Sequence, residues 1–228
     1  MHEPLPNTSS QPSKVMFNRF CAVVIFGIAF AYIEASVVVY LREIFHSAGF
    51  TFPLTEVGTT PLWKRLLLIE TGREAATLVL IFTASWLFGQ NRSQRFAFFL
   101  TIFAVWDIFY YIWLKVLIDW PASIMDWDIL FLMPTVWAGP VVAPILISLI
   151  LLVFAVIVLG AKVLRLTPVD WLVFILAVLL VVASFCIAGL HAAKPDFKSH
   201  FHWPLFAAGL LSPIMLFAKC LLKSKHPS

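Results

Sequence analysis

Six ionisable side chains fall within or at the mouth of apolar segments of this sequence: Glu34, Glu70, Arg73, Glu74, Asp107 and Lys115. A charged group near the centre of a bilayer costs about 2.5 to 3.5 kcal/mol on insertion scales, so such residues normally face a cavity or a partner. Carboxylates placed there can bind a cation or carry a proton. An arginine or lysine among them can hold the carboxylates in place or bind an anionic group. Glu70 and Glu74 are one helical turn apart on one face, beside Arg73 and above Thr77. Asp107, Tyr111 and Lys115 follow one another at four-residue spacing and so climb a single helix face. Glu34 lies seven residues before Leu41, roughly 10 Å of helix at 1.5 Å per residue.

The balance of charge is uneven. Glu34, Glu70, Glu74 and Asp107 outnumber Arg73 and Lys115, and Arg42, two turns beyond Glu34, reduces the excess without removing it. Surplus carboxylate in a low dielectric is protonated, hydrated or neutralised by a cation. The competing reading is a polar core that only fixes helix packing, with Arg73 paired to Glu70 or Glu74, Lys115 reaching to the interface, and the remaining acids satisfied by Tyr110, Tyr111 and Thr77. His191, His200 and His202 form a second, weaker constellation. Imidazole with carboxylate is a workable donor set for a divalent metal, although a His-x-His before Trp203 at a membrane surface is more often interfacial decoration.

The elements that would position these groups follow from composition. The 228 residues are 61% apolar and 12% charged, and the mean hydropathy is +0.95. Soluble domains are about 45 to 50% apolar, so the chain belongs to the bilayer. Taking roughly 20 residues per crossing, spans are expected at Phe20 to Leu41, Leu66 to Phe88, Phe96 to Ile118, Val141 to Gly160, Trp171 to Ala192 and Pro204 to Leu222. Thr60 and Pro61 make a plausible N-cap and first turn for the second helix. The apolar stretch Ile129 to Gly139 meets the fourth span across Pro134, Pro140 and Pro144 and is too short to add a crossing, so it is expected to be interfacial or re-entrant. The fold class is therefore an all-α polytopic membrane protein of about six helices. Residues 1–14 form a polar tail expected to be disordered, 15–222 a single transmembrane domain, and 223–228 a C-terminal tail.

Lys14, Arg19, Arg92, Arg95, Lys162, Arg165, Lys219, Lys223 and Lys225 fall on one side of these spans. They outnumber Arg42, Lys64, Arg65, Lys115, Lys194 and Lys198 on the other. The positive-inside rule then places both termini in the cytoplasm and the charged half of the spans in the outward leaflet of a bacterial inner membrane. The basic residues form no stripe, which excludes a nucleic-acid partner despite the net charge of +4. Cys21, Cys186 and Cys220 make no metal-binding spacing. Gly27, Ala31 and Ala35 give the first helix a small-residue face for a packing partner, within the chain or in a second copy.

The passages IEASVVVYLREIF, ETGREAATLVLI, WDIFYYIWLK and DWDILFLMP resemble an uncharacterised group of small bacterial multi-span membrane proteins, over roughly Phe20 to Gly160. The resemblance carries no assigned activity and transfers no functional residue. The sequence lacks a His-Glu-x-x-His zinc motif, a Gly-x-Ser-Gly protease motif, a phosphate-binding Walker loop and a His-x-x-x-His pair. The leading expectation is a pocket of Glu34, Glu70, Arg73, Glu74, Asp107, Tyr111 and Lys115 that binds a cation, proton or small polar ligand, for transport or relay. The alternatives are a metal-dependent membrane enzyme acting on a lipid or periplasmic substrate, and an accessory subunit whose polar core fixes helix register.

Overall fold

The computed structural model describes residues 11–46, 49–54, 61–160 and 167–225. Most of the expected N-terminal tail, the Thr60 cap, the Lys162 and Arg165 loop and the last three residues lie outside the described residues. Six long helices account for most of the chain. They are α1 (Gln11–Phe45), α2 (Pro61–Phe88), α3 (Arg92–Ile118), α4 (Val142–Gly160), α5 (Pro168–Gly189) and α6 (Trp203–Lys225). α1 takes in residues 11–14 of the expected tail, and α6 likewise extends past Leu222.

Among the described residues five stretches are long and apolar enough to cross a membrane: Lys14–Phe45, Arg92–Ile118, Val142–Gly160, Pro168–Gly189 and Phe197–Lys219. The chain is a polytopic helical membrane protein. α2, with 28 residues, matches the others in length, but its segment LWKRLLLIETGRE carries too much charge to be counted with them on composition.

Local sequence explains where the helices begin and end. Asn91 caps α3, its side chain accepting from the Gln94 amide at 3.0 Å. Asp119 closes α3 in the left-handed conformation with φ of 53°, which Asp tolerates better than most residues. Thr167 and Asp170 form a reciprocal capping box, with Pro168 in the first turn of α5.

Packing divides the helices into two groups. α1, α3 and α4 form the main stack, with α2 laid chiefly on α3, while α5 and α6 pack mainly on each other. The small-residue face of α1 carries the first of these interfaces. Ala31 and Ala35 are fully buried, and a Cβ added at Gly27 would lie 3.0 Å from Val105 of α3.

Between α3 and α4, where an interfacial or re-entrant segment is expected, the chain forms an antiparallel β-hairpin of β1 (Trp127–Phe131) and β2 (Trp137–Pro140). Asp128 pairs with Gly139 and Phe131 with Trp137, with an irregularity between Ile129 and Phe131. β-Branched and aromatic residues favour this extended form, and the strands satisfy each other's backbone in a setting that holds little water. The hairpin sits on the C-terminal end of α5. The Trp137 and Phe185 rings stack with centroids 6.3 Å apart, and Gly189 lets α5 come up against the Val136 carbonyl.

Gly189→Ala should destabilise the fold, because its methyl group would overlap that backbone oxygen. Overpacking of this kind costs about 1 to 3 kcal/mol. Gly72→Ala, which opens into free space, is the control and should match wild type in unfolding measured in mixed micelles.

Candidate functional site

The charged stripes of α1, α2 and α3 converge on one cavity of about 510 Å³ near the hairpin end of the bundle. Glu34, Glu70, Arg73, Glu74, Asp107 and Tyr111 all line it, joined by Arg42 and Asp128. Lys115 does not. It lies at the half-exposed end of α3, where its Nζ pairs with Asp119 Oδ1 at 2.7 Å and hydrogen-bonds the Asp119 and Pro121 carbonyls. Four-residue spacing put Lys115 on the correct face, but one turn past Tyr111 that face has left the cavity.

Arg73 is the centre of the largest network. Its Nη1 is ion-paired with Glu34 of α1, and its Nε donates to Glu70 Oε2 at 2.9 Å, one turn back along α2. Thr77 Oγ1, four residues on, donates to Glu34 Oε1 at 2.8 Å. Glu34 is 5% exposed, so each of these partners replaces water the carboxylate has lost. Glu74 turns toward the hairpin instead, and its Oε2 accepts from the Leu132 amide at 2.8 Å. Asp107 accepts from Ser148 Oγ of α4 at 2.7 Å.

A second ion pair closes the hairpin end. Arg42 Nη2 meets Asp128 Oδ1 at 3.0 Å, and the same oxygen accepts from the Ile129 amide at 2.9 Å. The Arg42 guanidinium lies 3.8 Å from the Trp120 ring centroid and 4.3 Å from that of Phe50, a stacked arrangement suited to its planar, delocalised charge. Sequence alone missed Asp128, and with it this pairing. Asp128 stands just before the segment Ile129 to Gly139 expected to be interfacial or re-entrant and outside the expected pocket, and only the strand pairing shows that it turns inward to 2% exposure.

Among the described residues five carboxyl groups therefore line the cavity against two guanidiniums, a formal surplus of three negative charges. Hydrogen bonds from Thr77, Ser148 and the amides of Leu132 and Ile129 solvate the acids without cancelling charge. Apart from His46, Thr77, Tyr110 and Tyr111, the rest of the lining is apolar. It continues past Trp106 along α3 to Phe96, and on to Phe154 of α4 and Phe174 of α5.

His191, His200 and His202 do not join this site, although His46 lines the cavity. The His191 and His200 rings stack at 3.8 Å between centroids. His200 Nε2 lies 3.1 Å from Asp196 Oδ2, and His191 Nδ1 is 2.8 Å from the Ile187 carbonyl. Each ring thus has a nitrogen already engaged. Among the described residues no three of His, Cys, Asp and Glu are grouped to hold a metal ion. Asp196, outside the helices, is held below the usual carboxylate range by its hydrogen bond with His200. Asp119 is held low in the same way by Lys115.

No family model, curated protein or solved structure matches this chain. The class of protein therefore rests on the helices, and the chemistry on the cavity.

Two measurements probe these ion pairs. Arg73→Met leaves Glu34 and Glu70 without their cation and should cost about 3 to 5 kcal/mol, as breaking a buried pair does. Adding Glu34→Gln should recover part of the loss in a double-mutant cycle of unfolding in mixed micelles. At Asp119 the folded carboxyl titrates lower than the unfolded one, so its contribution is present above the ordinary carboxylate range and is lost as pH falls through the depressed value. Asp119→Asn, which keeps a residue suited to the left-handed cap, should lower Tm at neutral pH. The gap to wild type should close in strong acid.

Proposed function

We propose that the chain is a bacterial inner-membrane protein whose cavity faces outward and binds a cation, a proton or a small polar ligand, in transport or relay. In this reading α2 is the sixth span, both termini lie in the cytoplasm, and the hairpin is the interfacial segment between the third and fourth spans. The helix order and the distribution of Lys and Arg favour that orientation.

The observation that carries the proposal is the surplus of acid in a largely apolar enclosure. A buried ion cluster that served packing alone gains most when its charges cancel, because each uncompensated ion retains a desolvation penalty of several kcal/mol. Arg42 and Arg73 are each engaged with carboxylates inside the cavity, and Lys115 is spent on Asp119 outside it. The remaining negative charge is carried by something exchangeable. Glu74 and Asp107, neither of which is ion-paired to a base among the described residues, are the acids assigned to bind it. Arg73 holds Glu34 and Glu70 in position.

The test uses the full chain reconstituted in phosphatidylcholine vesicles. Infrared difference spectra across stepped pH, and thermal stability across a series of sodium, potassium, magnesium and calcium salts, report proton and cation occupancy respectively. Wild type should show titrating buried carboxyl bands or ion-specific stabilisation. A ligand at 100 times its Kd adds about 2.7 kcal/mol. Asp107→Asn and Glu74→Gln should insert normally and lose that response. An unchanged response in both variants would sink the cavity as the functional feature.

A further inference from the structure

We infer that the cavity is the binding site of a membrane amphiphile with a non-anionic, hydrogen-bond-donating head, whose hydrocarbon chain lies between α3 and α4 on one side and α5 and α6 on the other. The inference rests on the acid-pocket reading above and names the class of ligand for it.

Three independent features lead there. The first is shape. The acids occupy only one end of the cavity, and the other walls are Phe99, Leu151, Phe154, Phe174 and their neighbours. Between Asp107 and Phe96 the α3 wall alone spans about 16 Å at 1.5 Å per residue. A small hydrated ion has no use for an apolar limb of that length, whereas an acyl or alkyl chain fills it. Cavities of about 300 to 1,000 Å³ are of ligand-binding size, and this one holds about 510 Å³.

The second feature is access. α5 and α6 touch the rest of the bundle through β2 at one end and, at the far end of the limb, through Phe174 and Trp171 on Phe96 and Phe217 on Phe154. Val178 of α5 lines the cavity and yet is 46% exposed, so the limb reaches the outer surface of the helices. Gly209 of α6, against which α5 packs closely, and Pro213 also line it. A chain could enter sideways from the bilayer without crossing the polar end.

The third feature is the set of polar groups left for a head. Both guanidiniums that line the cavity are committed to carboxylates, so among the described residues neither is left for a phosphate or sulfate. The acids offer acceptor oxygens in excess. Two buried donors also lack partners: the indole N–H groups of Trp106 and Trp137 meet no acceptor among the described residues, although both side chains line the cavity. Trp106 is 7% exposed, and leaving such a buried donor unsatisfied forfeits the hydrogen bond it made with water. By contrast Trp113 donates to the Ile28 carbonyl at 3.1 Å. Surplus acceptors beside two idle donors fit a head bearing hydroxyl or amine hydrogens, with an oxygen for an indole. An anionic head would add charge of the sign already in excess.

The experiment is tryptophan quenching by brominated probes in the full chain reconstituted in unbrominated phosphatidylcholine. Three probes share one dibromostearyl chain: a monoacylglycerol, an alkylamine and a lysophosphatidic acid. The glycerol or amine probe should quench saturably near one probe per protein. It should bind at least tenfold more tightly than the phosphate probe. The saturable component should disappear in Trp106→Phe, and also in Val182→Phe, which narrows the limb while keeping every tryptophan. Quenching that rises linearly with probe and is the same in both variants would overturn the site. Saturable binding of the phosphate probe as tight as that of the others would overturn the head assignment. If no probe saturates while the carboxyl or cation response of Asp107 and Glu74 persists, the amphiphile is wrong and the acid pocket stands. If that response is also missing, the pocket reading fails with it.

Discussion

The Arg73 guanidinium ties α1 to α2 in the charged half of this bundle. Arg73 is gripped by Glu34 from α1 and Glu70 from its own helix, in a region where α1 and α2 otherwise touch little. Without that cation two carboxylates would face a low dielectric, and α2 would have no favourable way to lay its charged face against the bundle. With it, the same face that keeps α2 from looking like an ordinary span becomes the face that docks. Because Arg73 is taken by Glu34 and Glu70, Glu74 is left to reach the hairpin at Leu132. The hairpin in turn seats on the end of α5. The seat of the hairpin on α5 is thus linked, contact by contact, to where Arg73 is neutralised, beside the separate tie from Arg42 to Asp128.

Helix periodicity made much of this legible in advance. Positions three and four apart on a helix share a face whatever the tertiary fold does, so the stripes on α2 and α3, and their meeting with Glu34, could be read from spacing and depth alone. The small-residue face of α1 was legible for the same reason and packs against α3 as expected of it. Depth near a helix end was not legible. Lys115 shares a face with Asp107, but Asp119 turns the chain in a left-handed cap one turn later and gives Lys115 a nearer partner.

What periodicity could not reach was the extended segment. Its apolar run with prolines at its junction excluded another crossing, but nothing in the run fixed a strand register. The inward turn of Asp128 depends on that register, since a shift of one residue would send it to the opposite face. Ser148 was hidden for another reason. It is a lone hydroxyl in the most apolar helix, where serine usually bonds its own backbone, and only the placement of α4 against α3 brings it to Asp107. In the same way Arg42 could be seen as a nearby base, while its partner across 86 residues could not.

The hairpin also explains why the site remains acidic after the fold has satisfied it. Inside a helix each amide N–H is bound to the carbonyl four residues back, so a carboxylate deep in a helical bundle has only side chains to turn to. Extended chain releases that constraint. Leu132, just beyond β1, offers its N–H to Glu74, and Ile129 offers its own to Asp128. These are neutral donors. They replace lost water and orient the oxygens, but they leave the charge of an ionised carboxylate where it was. A helix in the same place would have needed lysine or arginine to stabilise those acids, and the cavity would have closed on itself as a neutral network. By meeting Glu74 with a backbone amide and Asp107 with a hydroxyl instead of cations, the bundle keeps an acidic end on an apolar limb. In the proposed function, a proton, an ion or the head of a ligand supplies the difference in charge.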